Sequence, residues 1–152
     1  MSRFLPLIAL ALSAPAVAGP TFGLQTDYAA TAPENSGPAG IGITGRVGYG
    51  IDVGVFKVVP ELEISRFSDV WIPKLGGRLM VGAGIEPGIY GHLLLPMWRQ
   101  IDPVRGWDAG ATLDFTAAPM LDFGLHGGAL VIDAPKAPQI TPVFGLHASL
   151  SF

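Results

Sequence analysis

The chain has no cysteine, so neither a disulfide framework nor a thiolate metal site is available to it. Charge is also scarce. Asp, Glu, Lys and Arg supply 14% of the 152 residues, and a formal net charge of −3 shows none of the basic excess that a nucleic-acid partner requires. Although 49% of the residues are hydrophobic, no apolar run approaches the roughly 20 residues of a membrane-spanning helix. Twenty-one glycines and fourteen prolines disfavour long helices of any kind. High hydrophobicity without a long apolar segment is what a membrane β-barrel produces, because its lipid-facing and lumen-facing residues alternate.

That alternation is clearest at the carboxyl end. Phe144, Leu146, Ala148, Leu150 and Phe152 form one apolar row, and Gly145, His147, Ser149 and Ser151 form a small, polar opposite row. The period is two, that of a strand. With its final aromatic residue, this stretch resembles the terminal strand that the bacterial barrel-assembly machinery recognises. The resemblance implies an assembly signal carried by Phe144, Leu146, Ala148, Leu150 and Phe152.

At the amino end, Arg3 precedes the apolar run Phe4–Leu12, and Ala16-Val17-Ala18 has the small-x-small pattern of a signal-peptidase site. Residues 1–18 therefore read as a cleavable signal peptide, leaving 19–152 as a single barrel domain whose mature chain begins at Gly19. An amino-terminal core helix fits poorly with Pro6, Pro15 and Pro20.

Eight strands are predicted: about 21–28, 41–53, 55–66, 75–85, 88–98, 106–116, 121–132 and 142–152. In the second, Ile41, Ile43, Val47, Tyr49, Ile51 and Val53 oppose Thr44, Arg46, Gly48, Gly50 and Asp52. In the third, the even positions Phe56, Val58, Pro60, Leu62 and Ile64 are apolar, and the odd ones include Lys57, Glu61, Glu63 and Ser65. The switch of parity marks a tight turn near Gly54. The fifth strand leaves both options open, since Ile89, Leu93 and Leu95 alternate with Tyr90, His92 and Leu94. Long polar connections are expected after strands one, three, five and seven, the second of them at 67–73. Short turns are expected at Gly54, Glu86-Pro87 and 117–119. This is the pattern of an eight-stranded antiparallel up-and-down transmembrane barrel with both termini periplasmic. Tyr28, Trp71, Trp98 and Trp107 would form the outer aromatic girdle, and Phe22, Phe56, Phe115, Phe123 and Phe152 the inner one.

A soluble eight-stranded barrel would show the same alternation with its faces reversed. Gly48, Gly50, Gly76, Gly82, Gly84, Gly110, Gly124 and Gly128 favour the membrane form, because all share the charged face and would make room inside a narrow lumen.

From Ile41 onward the chain resembles the small outer-membrane barrels grouped with the OmpA membrane domain and OmpX. The residues that carry this are Gly45-Arg46-Val47-Gly48-Tyr49, Pro60-Glu61-Leu62-Glu63, the 110–115 segment Gly-Ala-Thr-Leu-Asp-Phe, and the twin Phe-Gly-Leu-His segments at 123–126 and 144–147. The resemblance implies a porin-like protein of the Gram-negative cell envelope, in contact with the outer-membrane bilayer and, during biogenesis, with the barrel-assembly machinery. It implies no catalytic set, and no cofactor is expected.

Arg46, Asp52, Lys57, Glu61, Glu63, Arg78, Asp108 and Asp114, with His126 and His147, are expected to line the lumen. Eight strands enclose a space that side chains can fill, so a paired charge network closing the lumen is the favoured reading, with a structural or loop-mediated binding role for a monomer. A small pore for ions or solutes is the alternative. A lipid A deacylase is a further one, but His147-Ala148-Ser149 lacks the following Asn of that pattern and points inward. A metal on His126 and His147 has no third ligand at a recognisable spacing.

Overall fold

The computed structural model describes residues 17–30, 38–68, 70–95, 105–133 and 138–152. Eight antiparallel strands, β1 (Val17–Ala29), β2 (Gly40–Val53), β3 (Phe56–Phe67), β4 (Val70–Val81), β5 (Ile85–Leu94), β6 (Gly106–Ala118), β7 (Leu121–Ile132) and β8 (Gln139–Ser151), pair in chain order and close into a barrel. Closure is made by β8 on β1, with Thr21 opposite Ser151 and Ala29 opposite Val143. At that seam the Phe152 ring meets Phe22 edge-on, 6.2 Å between centroids. The start of β1 and the end of β8 lie at one end, the terminal end, with the β2–β3, β4–β5 and β6–β7 turns; the opposite strand ends form the distal end.

The faces are those of a barrel turned apolar side out. Ile41, Leu24, Leu93 and Leu146 are 77%, 68%, 65% and 65% exposed, while Thr44, Ser65, Glu61, Glu63 and Lys74 are buried inside. Each large apolar side chain left in water forgoes roughly 1.5–3 kcal/mol, so this surface is matched to hydrocarbon. A soluble barrel would have the rows reversed. The fifth strand takes one of its two options: Ile85, Ile89 and Leu93 face out, and Tyr90, His92 and Leu94 face in. Tyr28, Trp71 and Trp107 are exposed near the distal rim, and Phe22, Phe56, Phe115, Phe123 and Phe152 lie toward the terminal end. Trp98 lies outside the described residues.

Three expected boundaries are corrected. Residues 67–73 are not a long connection. Phe67 ends β3 and Val70 begins β4, so the chain reverses within two residues, helped by a left-handed Ser68 (φ 50°). The segment extends because Phe67 and Ile72 both point inward into an apolar cluster, while Arg66 lies 5.2 Å over the Trp71 ring outside. The next turn is not at Glu86-Pro87 but at 82–84, where Gly82 (φ 136°) and Gly84 (φ 84°) take backbone conformations that a side chain would strain. Those two glycines are therefore turn residues, not lumen residues. The last terminal-end turn is at 119–120 and not 117–119, because Ala118 still pairs with Leu121 beyond an irregularity at Thr116. The expected leader is outside the described residues as far as residue 16, while Val17 and Ala18 already pair with Asp52 and Ile51.

Candidate functional site: the barrel interior

The barrel interior holds three zones, each set by which inward positions are large, small or charged. In the middle, side chains lie across interior glycines. A Cβ on Gly124 would collide with His147 and Asp114, and one on Gly145 with His126 and Asp27. Glycine at these two positions is what lets two Asp–His pairs cross the lumen. Nε2 of His147 is 2.9 Å from Asp114 Oδ1, and Nε2 of His126 is 2.8 Å from Asp27 Oδ1. The two imidazoles sit 5.8 Å apart between centroids. A carboxylate can only accept, so Nε2 carries the proton in each pair.

The fixed charges join these pairs into one network. Arg78 donates from Nε to both Glu61 oxygens at 3.1 Å and from Nη1 to Asp114 Oδ2 at 3.0 Å. Lys74 Nζ binds Asp108 Oδ2 at 2.6 Å and lies 3.5 Å from Glu63 Oε2. Arg46 donates to Ser149 Oγ at 2.6 Å and to Gln25 Oε1 at 3.4 Å. Gln25 and Thr44 donate to Asp27, and Thr112 donates to Asp114. Burial of so many ions costs several kcal/mol each unless the pairing is good, and here every buried ionic side chain in this zone has at least one partner. Side chains fill the zone closely. The cavity among them is about 10 Å³, near the minimum that holds one water molecule.

Below the middle, toward the terminal end, Val59 and Met80 are buried, and Lys57 lies 3.7 Å from Asp122 and 3.9 Å from Glu86. Above it, toward the distal end, most inward residues are apolar, with Thr141 buried opposite Leu130 and Ser65 opposite Ile72. Ala29, Phe67, Ile72, Leu94, Leu130 and Val143 pack together across the barrel.

Of the residues singled out in the sequence, Arg46, Glu61, Glu63, Arg78, Asp108, Asp114, His126 and His147 are all buried in the middle zone. Lys57 lies in the lower zone on β3, opposite Asp52 of β2 in the register. Phe144, Leu146, Leu150 and Phe152 are exposed on the outer surface, with Ala148 half-buried among them. The sequence reading missed Gln25, Asp27, Lys74, Tyr90, His92 and Asp122. Asp27 and Asp122 were findable, each being in phase with an inward partner two residues away. His92 was hidden by leucines on both faces of β5. The deacylase-like pair is interior: Ser149 accepts from Arg46, and His147 is held by Asp114.

No family model matches the sequence, and no curated relative matches it. Two solved structures share the fold. Neisserial surface protein A superposes with a TM-score of 0.58 at 9% identity, covering 91% of this chain and 100% of that one. The de novo designed barrel TMB2.3 superposes at 0.54 with 13% identity, covering 89% and 95%. At such identities the likeness is one of fold alone. The chain has the outer-membrane-type eight-stranded antiparallel barrel that the sequence resemblance implied.

Proposed function

We propose that the protein is an integral outer-membrane barrel with a structural or loop-mediated binding role, whose lumen does not conduct. The observation that carries this reading is the interior itself: a paired charge network filling the middle, closed at the distal end by packed apolar side chains. An ion crossing it would have to break buried pairs and then pass a mostly apolar layer, both costly. In this reading residues 1–18 are cleaved, both termini are periplasmic and the distal connections face outward. The outward row Phe144 to Phe152 serves as the assembly signal. No residue is assigned a catalytic role, and the barrel acts as a monomer in the bilayer. Purified protein in planar bilayers should show no sustained conductance. Stable, ion-selective channels would replace this reading by a pore.

A further inference from the structure

The middle zone does not balance its charge. The buried carboxylates there are Asp27, Glu61, Glu63, Asp108 and Asp114, and the fixed cations are Arg46, Lys74 and Arg78. Five against three leaves a formal −2 with neutral imidazoles, in a space closed by apolar side chains above. One place in that zone also has the geometry to hold a compensating ion. Glu61, Glu63 and His92 present ligand atoms that all lie within 4.8 Å of one another. His92 Nε2 is 3.1 Å from Glu61 Oε1 and 3.8 Å from Glu63 Oε1. Donors bound at about 2.1 Å to a tetrahedral ion stand roughly 3.4 Å apart, between those two separations.

A second observation points to the same place. Asp108 stands opposite His92 in the β5–β6 register and is 4% exposed; its Oδ1 has no hydrogen-bond partner of good geometry, although the Tyr90 hydroxyl interacts with this carboxylate. Asp108, Glu63 and His92 line the same cavity of about 10 Å³. Arg78 contacts both Glu61 oxygens and Lys74 lies between Glu63 and Asp108, and such outer partners commonly orient metal ligands.

We propose that this interior binds one divalent cation of the kind that accepts mixed imidazole and carboxylate donors, such as Zn²⁺, on Glu61, Glu63 and His92. Asp108 lines the same cavity but lies outside the set of ligand atoms that fall within 4.8 Å of one another. On binding, His92 stays neutral: its proton moves from Nε2 to Nδ1, which has no other partner, and the freed Nε2 lone pair takes the ion in place of the hydrogen bond to Glu61. The site is distinct from the Asp27–His126 and Asp114–His147 pairs, which have no third ligand within reach among the described residues.

The test is metal retention by the full-length mature barrel, refolded in detergent with a chelator, supplied with Zn²⁺ and desalted. Wild type and His126→Gln should each retain about one Zn²⁺ per chain, and His92→Gln should bind at least about 100-fold more weakly. No retention by wild type, or equal retention by His92→Gln, overturns the proposal. Should His92→Gln fail to fold, imidazole ¹⁵N spectra of the wild type decide. Zn²⁺ is expected to shift His92 and to leave its neighbours' Nε2 signals protonated. If Zn²⁺ shifts no imidazole, or all three equally, the site is not there.

Discussion

The middle of the lumen and its distal end solve the same problem, filling a narrow barrel, by opposite chemistry. In the middle, Arg78, Glu61 and Asp114 are held by charge-assisted bonds of 3.0–3.1 Å. At the distal end Phe67, Ile72, Leu94 and Leu130 fill the space by contact alone. The charged zone is fixed in geometry but intolerant, because removing one ion strands another. The apolar zone is forgiving, since a lost methylene leaves only a cavity. The difference separates a zone held by ion pairs from one held by packing.

The largest effect should therefore come from the middle. Arg78→Ala would leave Glu61 without its bidentate partner and Asp114 with only Thr112 and His147. It is expected to cost about 3–5 kcal/mol, measured by urea unfolding in detergent. The double variant Arg78→Met with Glu61→Gln should recover much of that loss, because the stranded charge goes with its partner. If the double variant is no better than the single, the network is not held by pairing.

At the distal end, Leu130→Ala should cost about 2–4 kcal/mol by the same measurement, as a cavity without a stranded charge. Conductance sharpens the contrast further. The variant should remain non-conducting as long as the charged middle is intact, and an open channel would move the seal entirely to the apolar zone. Smallest of all is the rim. Arg66 is exposed, packs on Trp71 and donates to the Ser68 carbonyl at 3.1 Å. Arg66→Ala should change stability by less than about 1 kcal/mol.

The contrast also explains what was legible in the sequence. Period-two alternation exposes a strand when one face is uniformly polar, as in β6, where Asp108, Thr112 and Asp114 oppose Trp107, Ala111 and Phe115. It fails where the inward face is apolar. Phe67 and Ile72 looked like part of a connection because neither fits a polar lumen, and Leu94 blurred the phase of β5 and hid His92 with it. The same blurring moved one turn. Without a clear face at 82–87, the local sequence favours a turn at the proline over the Gly-Ala-Gly reversal that the structure has. Pairings across strands, such as Lys74 with Asp108, depend on barrel closure and carry no local signal at all.

The central claim is that the apolar rows meet lipid and the charged rows do not. Single cysteines can be placed in this cysteine-free chain at outward positions Leu79, Ala111 and Ala148, and at inward position Thr112, then labelled with a fluorophore under denaturing conditions and refolded into liposomes carrying spin-labelled lipid. Strong quenching at 79, 111 and 148 with little at 112 is the predicted result. Absence of quenching at all three outward positions would place the apolar rows in a protein interior and contradict the membrane barrel.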